Sequence, residues 1–284
     1  KAEKLLKELP KKLRRFTARE LLLRLESQYD SQRHTQALKT AARVKKATRK
    51  GSRSWCKAGT FEVRTLEKSK KRKKAVAAWD ALLDACKKRR SVKMVYGAAK
   101  RHASSGSKSR ALELFGEVPT IDANHSYVDD AMVRSAGILR EQKRNKAADV
   151  LLVKALEAGG DMQEKAAWEL FWSHYQAGRI TKAGRLLSES IDKVSRGQIR
   201  KQRGRLVYWL ARAQHRTGKT GEAARGYVRV IREFPQTWYA MMAEQRLATI
   251  DRELLAETRA KLIKTKRGDS IVRESAALLL SKTM

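Results

Sequence analysis

Proline is nearly missing from this chain, with three residues in 284, and glycine contributes only sixteen. Both residues disfavour helix interiors, so their scarcity leaves room for long helices and argues against a turn-rich β architecture. Cysteine is rarer still. Cys56 and Cys86 stand 30 residues apart, which is neither a metal-ligand pattern nor a Cys-x-x-Cys redox pair; two buried thiols and one disulfide both remain open. No stretch approaches the roughly 20 apolar residues of a membrane span. The chain starts at Lys1, without an initiator methionine or a signal-type apolar region, and so reads as part of a longer precursor. Acidic residues are also sparse: 30 Asp plus Glu face 65 Lys plus Arg, for a formal net charge of +35.

Recognisable chemistry is equally thin. The five histidines, His34, His102, His125, His174 and His215, lie tens of residues apart, and none pairs with Cys, Asp or Glu at metal-ligand spacing. There is no glycine-rich phosphate loop, no Gly-x-Ser-x-Gly elbow and no His-Glu-x-x-His. Asp129 and Asp130 are adjacent, but neighbouring residues on a helix point apart, so the pair reads as decoration of a helix start. The sequence therefore offers no catalytic, cofactor-binding or metal-binding residue.

What the chain does have is alanine, leucine, lysine, arginine and glutamate, with 42% hydrophobic residues. That composition is enough for a sizeable core and points to an all-α protein. The basic residues run along the whole length, as the solvated faces of many amphipathic helices would. Attraction to polyanions also follows from such a charge, but charge does not choose among nucleic acid, membrane surface and acidic polymer.

A search for self-similarity is more informative, because solenoids show a fixed period before any single motif. Six times a polar turn precedes an alanine that opens a helix: Gln32 to Ala37, Lys70 to Ala75, Gly106 to Ala111, Gln142 to Ala147, Gly178 to Ala183 and Gly218 to Ala223. The alanines are 38, 36, 36, 36 and 40 residues apart. One helical turn after each stands Ala41, Trp79, Phe115, Leu151, Leu187 or Tyr227. A small residue lets two helices approach, and the apolar residue four positions on shares its face. Glycine at three of the turns suits a helix ending in the left-handed conformation.

Matching first helices precede the turns, as in Ala166–Gln176 and Leu206–His215. Their aromatics, Trp168, Phe171, Trp172, Tyr175, Tyr208 and Trp209, are expected mainly in the core. The last unit, with Gly218, Ala223, Tyr227 and Pro235, reproduces the spacing of the tetratricopeptide consensus. The expectation is a right-handed α-α superhelix of tetratricopeptide-like repeats, a solenoid of about six helix pairs with a period of about 36 residues over residues 1–250. Additional C-terminal helices are expected over 251–284, near Asp251–Ile263 and Asp269–Ser281. The basic run Lys68–Lys74 falls on the second turn and reads as a solvated loop rather than a localisation signal. No regular code position of a repeat-type RNA binder recurs.

The segment Tyr208–Leu247 resembles the end of the helical superhelix in bacterial soluble lytic transglycosylases: a Tyr-Trp-x-Ala-Arg start, a Gly-x-x-x-x-Ala turn, a Phe-Pro and an aromatic pair before Ala-x-x-Arg-Leu. His125–Ala131 and Gly160–Trp172 are similar to upstream units of that superhelix. The resemblance covers residues 120–250 well and 50–120 weakly. It implies a periplasmic setting, peptidoglycan as partner, and a curved or ring-shaped scaffold around a glycan strand that is cleaved to a 1,6-anhydro sugar.

The family's catalytic glutamate sits in a Glu-Ser motif followed by a Gly-Leu-Met-Gln-like segment. Here Gly160–Gln163 mimics the second, but Glu26-Ser27, Glu189-Ser190 and Glu274-Ser275 all lack the context of the first. The resemblance thus implies the non-catalytic superhelix of such an enzyme, with the lysozyme-like domain expected beyond Met284, and no cofactor. A periplasmic setting would favour a Cys56–Cys86 disulfide. Two other readings stand beside it: an intracellular tetratricopeptide adaptor gripping a protein or peptide, and, motivated by charge alone, a nucleic-acid-binding solenoid.

Overall fold

The computed structural model describes residues 16–69, 72–202 and 204–263, and all regular structure among them is helical. By contact the chain divides into two compact units, residues 1–143 and 144–284.

The first unit holds α1 (Ala18–Asp30), α2 (His34–Ala47), α3 (Arg53–Lys68), α4 (Arg72–Ala85), α5 (Val92–Ser104), α6 (Lys108–Ile121) and α7 (Tyr127–Glu141). The second holds α8 (Asn145–Glu157), α9 (Gln163–Gln176), α10 (Ile180–Ile191), the short α11 (Arg196–Lys201), α12 (Arg205–Arg216), α13 (Thr220–Glu233), α14 (Trp238–Ile250) and α15 (Arg252–Ile263). The expected helix over Asp269–Ser281, the Glu274-Ser275 pair, and Lys70 and Lys71 of the basic run lie outside the described residues.

The two helices of a pair begin by different devices. Several first helices are capped by a hydroxyl: Thr17 accepts from the Glu20 N–H in a full capping box, Ser52 from Trp55, Ser91 from Met94 and Thr237 from Ala240. The second helices α2, α6, α10 and α13 carry no side-chain cap. They start instead from the preceding turn, where a residue of positive φ is followed by an N–H that reaches back to close the first helix. Arg33 donates to the Gln28 carbonyl, Ser107 to His102, Arg179 to His174 and Lys219 to Gln214, at 2.8 to 3.0 Å.

The residue of positive φ sets the register. It is Gln32, Gly106, Lys143, Gly178 or Gly218, and five residues later comes Ala37, Ala111, Ala148, Ala183 or Ala223, each fully buried. This corrects the fourth unit. Lys143, not Gln142, turns the chain, so the core alanine is Ala148 and its partner Leu152, both 0% exposed, whereas Ala147 and Leu151 are half-buried. The 40-residue interval before Ala223 is also explained: α11 occupies it.

The residues four positions after the alanines fill the core as expected. Ala41, Trp79, Phe115, Leu152, Leu187 and Tyr227 are at most 2% exposed. Trp79 packs so closely over Gly97 that a Cβ there would meet its ring at 2.9 Å. In the first unit, Cys56 of α3 is joined to Cys86, just past the end of α4, with Cα atoms 6.0 Å apart.

Candidate functional site

Three of the five histidines make defined polar contacts, two of them with an aspartate. His102 Nε2 lies 3.0 Å from Asp80 Oδ1 in the first unit, and His174 Nε2 lies 2.9 Å from Asp149 Oδ2 in the second. Each ties the last turn of a first helix to the second helix before it. His174 Nδ1 also accepts from Arg179 Nε at 3.0 Å; that bond fixes the neutral ring, with Nε2–H toward Asp149. Burial holds the His174 pKa below the usual histidine value against the pull of Asp149. His125 Nδ1 accepts from the Tyr127 N–H.

Asp129 and Asp130 sit in the first turn of α7, where Asp130 accepts from the Tyr96 hydroxyl at 3.1 Å. Two of the three Glu-Ser pairs lie among the described residues. Glu26 faces Lys57 at 3.4 Å on the surface, and Ser190 donates to the Leu186 carbonyl within α10. Gly160 and Gln163, the other half of the mimicked motif, anchor a loop: the Gly160 carbonyl accepts from Gln198, and Gln163 donates to the Leu156 carbonyl.

The feature that sequence reasoning underestimated is an aromatic face on the second unit. On α9, Trp168, Trp172 and Tyr175 follow one another at helical spacing, while Leu170, Phe171 and His174 take the buried stripe beside them. The expectation that these rings are mainly core fails here. Trp168, Trp172, Tyr175 and Trp209 of α12 are all half-buried.

The rings form a ladder. Trp168 stacks on Trp172 with centroids 5.0 Å apart and an interplanar angle of 16°, and Trp172 on Tyr175 at 5.7 Å and 9°. Trp209 meets Trp172 and Tyr175 edge-on at 5.1 and 5.2 Å. Such pairs add about 0.5–1.5 kcal/mol each beyond area burial and hold the face rigid. Two guanidiniums cover its ends: Arg205 lies 4.4 Å above the Trp168 ring and Arg216 5.2 Å from that of Tyr175.

Arg205 is itself held. It forms a two-pronged pair with Glu164, with contacts of 2.8 to 3.1 Å, and Glu164 is buried. Burial pushes the Glu164 carboxyl up while Arg205 pulls it back. The Glu164 N–H donates to Gln198 of α11, so the short helix braces the start of α9. Tyr208 reaches Tyr239 of α14 at 5.5 Å, next to Trp238, which is 66% exposed, and Met241 at 57%. Neither the Trp168 nor the Trp172 indole N–H has an acceptor among the described residues. The face thus offers flat apolar surface, free N–H donors and cationic edges, and it brings together no nucleophile, acid–base pair or metal-ligand set.

No protein-family model and no curated protein matches the chain. Solved structures do. The C-terminal part of a tetratricopeptide repeat protein from Cytophaga hutchinsonii superposes with a TM-score of 0.59 at 12% identity, over 88% of this chain and 98% of that one. A tetratricopeptide repeat protein from Parabacteroides merdae gives 0.51 at 14%, over 90% and 96%. At such identities the likeness speaks for fold alone: the chain is an all-α solenoid of tetratricopeptide-like helical repeats.

Proposed function

We propose that this chain is a non-catalytic scaffold or adaptor that holds an extended segment of a protein partner against the aromatic face of its second unit. The observation that carries the reading is the half-buried ladder of Trp168, Trp172, Tyr175 and Trp209 under Arg205 and Arg216. Pre-stacked aromatic rings lose little freedom on binding, and unsatisfied indole N–H groups suit a peptide carbonyl. Selection of peptides from a display library on the full chain tests it. Enriched sequences should lose at least about tenfold in affinity with Trp172→Ala or Trp209→Ala, the scale of a central aromatic anchor. A library that yields no peptide sensitive to these substitutions sinks the reading.

A second reading places a peptidoglycan glycan strand on the same scaffold, in the periplasm. It is supported by the resemblance of Tyr208–Leu247 and Gly160–Trp172 to the lytic-transglycosylase superhelix, and by the Cys56–Cys86 disulfide, which suits an oxidising compartment. It expects co-sedimentation with purified sacculi that weakens as salt rises and is reduced by the same tryptophan substitutions. Failure to sediment with sacculi at low salt would dispose of it and leave the peptide reading standing.

A further inference from the structure

The second unit also has a concave feature, separate from the aromatic face. An open cavity of about 490 Å³ lies between α11 and α13, and four arginines line it: Arg196 and Arg200 from α11, Arg229 and Arg232 from α13. Its apolar floor is Ile199 and Phe234, both buried. Phe234 is fixed there by Gly204, whose φ is +81° and where a Cβ would meet the ring at 2.5 Å.

The charge in this cavity is not balanced. Glu233 is the one acidic lining residue, and Arg229 takes it, Nε to Oε1 at 3.0 Å. Arg196, Arg200 and Arg232 have no carboxylate partner among the described residues. Arg90, Arg101 and Arg205 each meet a carboxylate, Glu117, Glu67 and Glu164, whereas the three guanidiniums of the cavity are exposed to solvent and open to a ligand. Three unneutralised guanidiniums around one open concavity repel one another and concentrate positive potential there. Guanidinium presents a planar fork of donors that matches oxyanions in pairs.

We infer that this cavity is a binding site for a compact polyanion carrying two or more oxyanion groups, phosphoryl or carboxylate. The volume admits a small ligand or a single acidic group of a larger one. A duplex backbone, whose phosphates lie on a convex surface, does not enter it. The inference is independent of what the aromatic face binds.

Calorimetric titration of the full chain with tripolyphosphate and, separately, with citrate tests it. Saturable binding of at least one is expected, weakening as salt rises; a preference for tripolyphosphate identifies phosphoryl groups, and a preference for citrate identifies carboxylates. Arg200→Ala with Arg232→Ala should weaken binding by at least about tenfold, as loss of charge-assisted hydrogen bonds does. The control, Lys182→Ala with Arg185→Ala on the exposed side of α10, removes the same charge and should change it less than about twofold. Gly197→Glu is a further probe. Gly197 lines the cavity, and a Cβ there would meet Ser195 Oγ only at 4.0 Å, so a glutamate supplies an internal competitor, which should also lower affinity. All these positions except the glycine are exposed side chains, and helix content by circular dichroism confirms that each variant folds. Absence of saturable binding for both anions, or equal loss in the α10 control, overturns the inference.

Discussion

The two units treat tryptophan in opposite ways. In the first, Trp79 is 1% exposed, donates its indole N–H to Glu67 at 3.0 Å and lies in the core, and Trp55 is 9% exposed. In the second, Trp168, Trp172 and Trp209 are half-buried and Trp238 is largely exposed. The first unit also carries the disulfide, while the second relies on the Arg205–Glu164 pair and ring stacking. One repeat pattern therefore serves two ends for tryptophan: packing in the first unit, and partial exposure in the second, whose core uses Phe171 and Tyr227 instead.

The largest test of that contrast is Trp79→Ala, which should cost about 3–5 kcal/mol as a fully buried aromatic truncation. Denaturant unfolding measures it, and a loss under about 1 kcal/mol would mean that Trp79 is not a core residue in the sense of cavity energetics. Next comes Cys56→Ser with Cys86→Ser. On the chain-entropy account, opening a loop of this length costs about 3–4 kcal/mol. Hydrogen exchange should accelerate in α3 and α4 and stay unchanged in α9 to α14. Equal acceleration in both units would show that the disulfide is not a local device. Trp172→Ala should cost only about 1–2 kcal/mol, in keeping with partial burial, yet abolish more partner affinity than any core change that leaves the fold intact.

These effects also show what could be read in advance. The buried alanines and their partners were legible, because close helix approach demands a small side chain at a fixed distance from the turn. The fourth unit was read one residue early because its turn has no glycine: Lys143 holds φ at +61°, and nothing in Gln-Lys-Arg says which residue does so. The six residues of α11 left a trace only as a long interval. The aromatic face was visible as Trp168, Trp172 and Tyr175 on one side of a helix, but spacing does not say whether another helix covers that side. The arginines of the cavity were lost among 65 basic residues.

The smallest expected effect concerns the His174–Asp149 pair of the second unit. His174 is depressed by burial, so below about pH 6.5 the unfolded chain takes up its proton before the folded one does. Stability from this group is complete above that pH and declines as pH falls toward the folded value. Its Nδ1 faces Arg179, and Lys182 also opposes a positive ring. His174→Gln should flatten the acid decline of the second unit, followed by pH-dependent unfolding of α9.

The turn residue of positive φ has one more implication. Because five of the described hairpins count five residues from the turn residue to the next alanine, phase is re-established within those hairpins rather than inherited from the chain behind them. Lengthening between α10 and α12 is thereby absorbed: α11 enters, and Ala223 still lands in the core. Such a chain can acquire new segments between its hairpins, and new surfaces with them, without disturbing the packing that keeps it folded.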